Sequence, residues 1–224
     1  MRATIIAAGR TDEHSNWQRW VLEGDWIIGA DGGAARALEW GLAPHLVIGD
    51  LDSLPEQDRQ ALVAQGCQFV THPRAKDETD LELALTYAAK AGAQEIVILG
   101  ALGGRLDHTL SNLLLLTMPS LEGVQVRIAD GEEEVLLAHS RAVVTLHGNP
   151  GELVSLLPLG GDARGVTTRG LAWALHDETL RFGFSRGVSN EMTGSLAQIE
   201  VASGFLLVVH GPQPEGQVEA LVDS

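Results

Sequence analysis

Cysteine is almost absent from this chain of 224 residues, and long apolar runs are missing altogether. The lone Cys67 excludes a disulfide framework and a cysteine-based zinc site. The longest apolar runs, such as Leu113–Leu116 and Phe205–Val209, fall far short of the ~18 residues that a membrane helix needs. The first ten residues hold too short an apolar stretch for a secretory signal. We therefore expect a cytoplasmic protein without a membrane partner.

Basic residues are also scarce, since fifteen Lys and Arg face thirty Asp and Glu and leave a net charge of -15. A chain this acidic repels nucleic acid and anionic membranes, whereas it attracts a cationic small molecule. Hydrophobic residues make up 45% of the chain and charged residues 20%, as in folded globular proteins, which excludes disorder for most of its length.

Residues 1–130 alternate short apolar runs with amphipathic stretches, and this alternation predicts a doubly wound, mostly parallel α/β sheet. The predicted strands are Ala3–Ala8, Trp26–Ala30, Leu46–Ile48, Gln68–Thr71, Glu95–Leu99 and Val124–Ala129. The predicted helices are Ser15–Leu22, Ala34–Trp40, Pro55–Gln65, Asp80–Ala91 and Leu106–Met118.

Residues 131–211 lack a convincing helix and predict a second domain, an antiparallel β-sandwich, followed by a polar tail over 212–224. Turn signals at 148–151, 160–162 and 176–177 separate the strand-length segments. The predicted strands are Val135–Ala138, Ala142–His147, Leu153–Leu157, Gly165–Thr168, Leu171–Leu175, Leu180–Phe184, Leu196–Ala202 and Leu206–His210.

Acidic residues of the first domain follow the predicted strands directly. Because the carboxyl ends of parallel strands meet at one edge of a sheet, we expect these loops to converge where open α/β sheets bind ligands. The aspartates concerned are Asp31, Asp50, Asp52, Asp77, Asp80 and Asp107.

Each acidic loop also has an ordinary structural explanation. Asp31 before two glycines can form a turn, Asp52 can precede a helix, Thr79 with Glu82 fits a capping box, and Asp107 suits a first helical turn. Helix caps do not require six aspartates on one edge, however, and crowded carboxylates repel one another unless a cation shares them. An acidic set of oxygen ligands without a His–Cys pattern favours Mg²⁺ over zinc.

Glycines and basic residues at the same edge are suited to phosphate. Gly32 and Gly33 open a helix, and Gly9-Arg10 ends the first strand. Lys76 adds a point charge, and Gly103-Gly104-Arg105 combines close backbone approach with a guanidinium. Neither a P-loop nor a dinucleotide-binding glycine fingerprint occurs. The residues alone therefore predict a Mg²⁺-dependent enzyme acting on a phosphate or a nucleotide.

Six short motifs can be recognised along the chain. Four lie in the first domain: Ala30-Asp31-Gly32-Gly33-Ala34, Ile48-Gly49-Asp50-Leu51-Asp52-Ser53, Lys76-Asp77-Glu78-Thr79-Asp80 and Gly103-Gly104-Arg105-Leu106-Asp107-His108. Two lie in the second domain: the segment 165–175, which contains Trp173, and Val188-Ser189-Asn190-Glu191. Together they resemble, in order and spacing, the motifs of the thiamin pyrophosphokinase family, and the resemblance covers roughly residues 3–210.

This resemblance implies transfer of a diphosphoryl group from ATP to the hydroxyl of thiamin, which yields thiamin diphosphate and AMP. It also implies Mg²⁺ and a homodimer with active sites between subunits. We expect Asp50, Asp52 and Asp80 as metal ligands with Asp31 nearby, and Asp52, Asp80 and Arg105 as catalytic residues, Asp80 being the candidate base. The expected nucleotide-binding residues are Asp31, Gly32, Gly33, Lys76, Asp77, Gly103, Gly104, Asp107 and His108.

Thiamin is expected on the second domain, where Trp173 would stack on its cationic thiazolium and Ser189 and Asn190 would bind its pyrimidine. The alternatives are that Trp173 is a buried core residue and that Ser189 and Asn190 form an ordinary loop. Two other functions stay open at this point, a Mg²⁺-dependent nucleotide phosphohydrolase and a non-catalytic thiamin- or nucleotide-sensing module.

Overall fold

The computed structural model describes residues 1–9, 16–140 and 142–213, which form two compact units. The first unit is Met1–Gly131, and the second begins at Glu132. Arg10 and residues 214–224 of the predicted tail lie outside the described residues.

Among the described residues, six parallel strands build the sheet of the first unit, in the spatial order β4-β3-β2-β1-β5-β6. All four residues of the third strand are buried, as expected for a parallel sheet that is covered on both faces. The strands are β1 (Arg2–Ile6), β2 (Trp26–Ala30), β3 (Leu46–Gly49), β4 (Gln68–Thr71), β5 (Glu95–Leu99) and β6 (Gln125–Asp130).

The strand order reverses direction at β1, and this reversal positions the candidate site. From β1 the chain adds β2, β3 and β4 on one side, and it then returns to add β5 and β6 on the other side. The connections that leave β1 and β5 therefore diverge and open a crevice beyond the carboxyl ends of these strands.

The helices of the described part of the first unit are α1 (Gly33–Glu39), α2 (Glu56–Ala64), α3 (Asp80–Lys90) and α4 (Leu106–Leu115). The capping box predicted at α3 is present in part, since the Oγ1 atom of Thr79 accepts a hydrogen bond of 3.2 Å from the N–H of Glu82. Among residues 1–9, 16–140 and 142–213, each helix falls short of the length and apolarity needed to span a membrane.

The helix predicted over 15–22 is wrong for the described residues, which form only a 3₁₀ turn at Trp17–Arg19. Tertiary contacts hold this segment. The Trp17 ring stacks on Trp40 at 5.3 Å, and the indole N–H of Trp20 donates to the carbonyl of Gly131 over 2.9 Å. Packing of distant tryptophans thus overrides the local helical pattern.

The second unit is rich in antiparallel strands, in the order β7-β13-β9-β12-β8, with β10 and β11 also paired to β9. Its apolar core includes Leu146, Val154, Leu156 and Val208. The strands are β7 (Glu133–His139), β8 (Val144–His147), β9 (Leu153–Arg169), β10 (Glu178–Leu180), β11 (Asn190–Glu191), β12 (Leu196–Glu200) and β13 (Ser203–Gly211).

Several elements of the second unit differ from the predictions. The turn expected at 160–162 is an irregularity inside the single long strand β9: opposite β9, the register of β13 shifts between Ser203, paired with Arg164, and Phe205, paired with Leu159. The extra residues of β9 bulge out of the ladder instead of ending the strand. Of the segment 171–175 only Leu171 forms a β-bridge, and β10 ends at Leu180 instead of continuing to 184.

Candidate active site

A pocket of about 640 Å³ lies at the carboxyl edge of the parallel sheet. It occupies the crevice at the reversal of strand order, because segments that follow β1, β2, β3 and β5 all contribute to its wall. The residues that line it are Ala7, Ala8, Gly9, Ala30, Asp31, Asp50, Asp52, Ser53, Arg74, Thr79, Asp80, Leu81, Gly100, Ala101, Gly103, Gly104, Arg105, His108 and Asn112.

Three aspartates form the acidic cluster of this pocket. Asp31 follows β2, Asp50 and Asp52 follow β3, and carboxylate oxygens of all three lie within 4.8 Å of one another. The bend that brings Asp50 and Asp52 to the same side has Leu51 at φ 63°, a left-handed conformation that a branched side chain rarely adopts. The N–H of Asp52 donates to Oδ1 of Asp50 at 3.1 Å and stabilises this bend.

The carboxyl group of Asp31 is buried and incompletely hydrogen-bonded. Asp31 is only 7% exposed, and its Oδ1 has no hydrogen-bond partner within the described parts of the chain. Burial raises the pKa of Asp31, and the charges of Asp80 and Asp50 add to this rise, although hydrogen bonds from Ser53 and Gly32 oppose it. A buried, unpaired carboxylate oxygen beside two further carboxylates is suited to a bound cation.

Lys76 compensates part of this negative charge. Its Nζ lies 2.7 Å from Oδ1 of Asp80 and 3.6 Å from Oδ2 of Asp50. Burial alone would lower the pKa of Lys76, but the hydrogen bond and charge of Asp80, together with Asp50, raise it overall. The N–H of Asp52 and the charge of Lys76 in turn hold the pKa of Asp50 below its usual value. Lys76 therefore binds carboxylates in this structure and does not line the pocket.

Gly49, the last residue of β3, makes this close arrangement possible. A Cβ atom at this position would lie 2.9 Å from Cβ of Asp31 and 2.9 Å from Oδ1 of Asp80. Any larger residue would push these carboxylates away from their positions beside the pocket.

The glycine-rich loop after β5 forms another wall. Gly103, Gly104 and Arg105 line the pocket, as predicted. The Arg105 guanidinium is exposed and pairs with Asp107, Nη2 to Oδ2, at 2.6 Å, and this hydrogen bond holds the pKa of Asp107 below its usual value. His108, in the first turn of α4, also faces the pocket.

Five predicted nucleotide-binding residues are not among those that line the pocket, namely Gly32, Gly33, Lys76, Asp77 and Asp107. Gly33 has a structural role, because a Cβ atom there would lie 1.9 Å from the carbonyl oxygen of Ile6.

Thr79, Arg74 and Asn112 also line the pocket, although no site role was predicted for them. The Nε of Arg74 lies 3.5 Å from Oδ2 of Asp52. Asn112 was detectable in principle, since it lies four residues after His108 and thus on the same side of α4.

The predicted thiamin-binding residues lie in the second unit. Trp173 is 61% exposed, which contradicts the alternative that it is a core residue. Ser189 is exposed as well, at φ 59°. Asn190 is buried, and its side-chain amide bonds to the main chain of Trp173.

Both units match known families. The protein-family model for the thiamin pyrophosphokinase catalytic domain matches residues 17–128, and the family model for the thiamin pyrophosphokinase vitamin B1 binding domain matches residues 142–206.

Individual relatives give the same result. The thiamine pyrophosphokinase of Bacillus subtilis (strain 168) is 28% identical over 201 residues, which cover 90% of this chain and 89% of that protein. The crystal structure of thiamine pyrophosphokinase from Bacillus subtilis superposes with a TM-score of 0.83 at 26% identity, covering 96% of this chain and 100% of that one. A thiamin pyrophosphokinase family protein from Enterococcus faecalis gives a TM-score of 0.78 at 27% identity, with coverage of 96% and 100%.

These matches confirm the prediction from the six motifs, and they favour neither a phosphohydrolase nor a sensing module. They also agree with an α/β unit followed by a β-rich unit. The chain therefore belongs to the thiamin pyrophosphokinase family, whose enzymes transfer the diphosphoryl group of ATP to thiamin.

Proposed function

We propose that the pocket of the first unit binds Mg²⁺ together with the polyphosphate of ATP, and that the second unit binds thiamin. The acidic cluster carries this proposal, because three carboxylates converge and the buried Oδ1 of Asp31 has no partner among the described residues. This all-oxygen donor set fits a hard divalent cation such as Mg²⁺, which commonly uses one or two carboxylates and the phosphates of its substrate.

Asp50 and Asp52 would hold the metal together with Asp31, whose carboxylate oxygens share the cluster. Asp80, which we expected as a third ligand, accepts a hydrogen bond from Lys76 on its Oδ1 and would act from beside the cluster. When bound, Mg²⁺ would supply positive charge against the polyphosphate and orient it.

The ATP polyphosphate would lie along the glycine-rich loop. Gly103 and Gly104 allow the main chain to approach phosphate closely, and Arg105 at the edge of the pocket offers a planar guanidinium. The Arg105 guanidinium is exposed and pairs with an exposed carboxylate. Because an exposed ion pair contributes little free energy, Arg105 can exchange this carboxylate for a phosphate oxygen at little cost.

In the proposed reaction the hydroxyl oxygen of thiamin forms a bond to the β-phosphorus of ATP. The bond between that phosphorus and the oxygen that bridges it to the α-phosphorus breaks at the same time, and AMP leaves with this oxygen and the electron pair. The attacking hydroxyl must also lose a proton. Asp80 is our candidate acceptor, and because Lys76 already donates a hydrogen bond to its Oδ1, we assign the proton to Oδ2. Positioning and charge neutralisation account for most catalysis of this type.

The exposed indole of Trp173 is proposed to stack on the cationic thiamin, assisted by Ser189. A homodimer is part of the same proposal and rests on the family resemblance. Each active site would be formed from the first unit of one chain and the second unit of the other.

Three expectations from the sequence stay predictions: that the first unit is doubly wound, that the second unit is a sandwich, and that the protein is located in the cytoplasm.

Product analysis tests the proposed function. Protein incubated with Mg²⁺, ATP and thiamin should form AMP and thiamin diphosphate, and should form neither when thiamin or Mg²⁺ is omitted. ADP together with thiamin monophosphate would contradict transfer of a diphosphoryl group. Release of phosphate from ATP without thiamin would instead favour the phosphohydrolase.

A further inference from the structure

A buried side chain holds the main chain of Trp173. Upstream of this residue the chain pairs with the end of β11 and the residue that follows it, through a hydrogen bond of 2.9 Å from the N–H of Ala172 to the carbonyl of Glu191 and a β-bridge between Leu171 and Met192. At Trp173 the main chain instead forms hydrogen bonds with the side-chain amide of Asn190. The N–H of Trp173 donates to Oδ1 of Asn190 at 3.0 Å, and Nδ2 of Asn190 donates to the carbonyl of Trp173 at 2.8 Å.

These contacts use most of the hydrogen-bonding capacity of Asn190. Its Oδ1 also accepts the N–H of Glu191 at 2.9 Å, so both lone pairs of this oxygen are engaged. The residue is only 5% exposed. The preceding Ser189 adopts φ 59°, and the hydroxyl of Ser155 accepts its N–H at 3.1 Å, which fixes the turn that directs Asn190 inward.

The indole of Trp173, by contrast, is mostly exposed and is not fixed by core packing. Its direction therefore depends on the main chain from which it projects. If the correct direction is adopted only part of the time, the apparent dissociation constant of a ligand that needs it rises in inverse proportion to that fraction.

We propose that Asn190 is a positioning residue for thiamin, which acts by holding Trp173 and does not contact the substrate. This revises the direct contact with the pyrimidine that the sequence led us to expect. The inference rests on the proposed function in one respect, namely that Trp173 contacts thiamin.

A double-mutant cycle between Asn190→Asp and Trp173→Ala tests the inference. Aspartate keeps the shape and can still accept both N–H groups, but its second oxygen would face the Trp173 carbonyl, and two acceptors repel each other. Asn190→Asp should raise KM for thiamin by no more than Trp173→Ala does, within roughly 2–30-fold, and should leave KM for ATP unchanged. In the double variant KM for thiamin should match that of Trp173→Ala. Fold-changes that multiply would show that Asn190 contacts thiamin and would overturn the proposal.

A spectroscopic readout separates this inference from the proposed function. The chain has five tryptophans, so labelling with 5-fluorotryptophan gives five ¹⁹F resonances, and Trp173→Phe identifies the relevant one. Asn190→Asp should shift or broaden that resonance and leave the other four in place. An unchanged Trp173 resonance would overturn the positioning role. If Trp173→Ala leaves KM for thiamin unaltered, the proposed thiamin site is wrong, whereas the ¹⁹F spectrum still shows whether Asn190 holds Trp173.

Two further measurements distinguish the positioning role of Asn190 from a general effect of misfolding. Val208→Ala removes buried side-chain atoms from the core of the same unit and should leave KM for thiamin unchanged, so that a loss of stability alone cannot explain the result. In the unmodified protein, the main-chain N–H of Trp173 should exchange slowly with deuterium despite its exposed side chain. Fast exchange would contradict the hydrogen bond to Asn190 without the use of any variant.

Discussion

Replacing Asp31 by asparagine should stabilise the metal-free protein and weaken its response to Mg²⁺. Asparagine keeps the shape of the side chain but removes a negative charge that is buried beside Asp50 and Asp80. The wild-type carboxylate has an oxygen without a partner among the described residues, a feature that favours a cation and costs folding free energy without one.

The sign of this effect follows from the raised pKa of Asp31. A carboxyl group whose pKa is higher in the folded state contributes stability below its ordinary value of 3.8, and this contribution is lost as the pH rises through the folded value. At pH values above the folded-state pKa of Asp31 the metal-free wild type therefore carries the full cost. A buried polar group without a partner costs about 1–3 kcal/mol, and asparagine relieves only the charged part, for which we expect about 1 kcal/mol. That corresponds to a rise in Tm of about 2–4 °C for a chain of this size.

Thermal unfolding at pH 7, first with a chelator and then with increasing Mg²⁺, measures both effects. A ligand that binds only the folded state stabilises it by about 2.7 kcal/mol at a hundred times its Kd. The wild type should gain Tm accordingly, and Asp31→Asn should gain clearly less at the same Mg²⁺ concentration. Asp58→Asn, which removes an aspartate from the first turn of α2, is the matched control and should respond to Mg²⁺ like the wild type.

Two outcomes would refute this reasoning. A metal-free Asp31→Asn protein that is less stable than the wild type would show that the carboxylate is well satisfied without a cation. An undiminished Mg²⁺ response in the same variant would show that Asp31 does not hold the metal.

Three further predictions concern substrate binding, catalysis and assembly, and a fourth concerns the stability of the second unit. Asp52→Asn should keep the fold and lower turnover by at least ~10²-fold, and near-normal turnover at limiting Mg²⁺ would make Asp52 only a turn residue. Trp173→Ala should raise KM for thiamin by roughly 2–30-fold and leave KM for ATP unchanged, with equal weakening of both counting against stacking. Subunit exchange between these two variants should restore roughly a quarter of the sites, whereas verified exchange without recovery would exclude shared sites. Finally, burial alone would lower the pKa of His210, but hydrogen bonds to Glu134 and Glu152 raise it above 6.5, so the free energy of unfolding should fall as the pH rises through the raised value. A His210→Gln protein with the same pH dependence in urea unfolding would contradict this last assignment.

Much of the first unit could be predicted from the sequence. The bounds of β2, β4 and β5 agree with the predictions, because short runs of buried apolar residues between helical segments are a local signal. The same pattern predicted that aspartates after successive strands would meet at one edge, and Asp31, Asp50 and Asp52 do meet there. The family also followed from the sequence, because its motifs are short and contiguous.

The second unit was harder to predict because its strands pair over long distances in sequence. Glycines near 160 suggested a turn, yet pairing with β13 carries β9 through this region as a bulged strand. Whether a glycine ends a strand or interrupts its ladder depends on the partner strand, which the local pattern does not reveal.

The sequence by itself determined the family, the alternation of strands and helices, and the edge at which the acidic residues collect, since all of these are encoded in contiguous segments. The tertiary structure alone decided which of these residues bond to each other. It paired Lys76 with Asp80 and Asp50, left an oxygen of Asp31 buried in the acidic cluster, and turned Asn190 toward the main chain of Trp173. Apart from the Lys76–Asp80 pair, each of these arrangements joins residues about 17 or more positions apart, and burial and hydrogen-bond geometry between such residues arise only when the chain is folded.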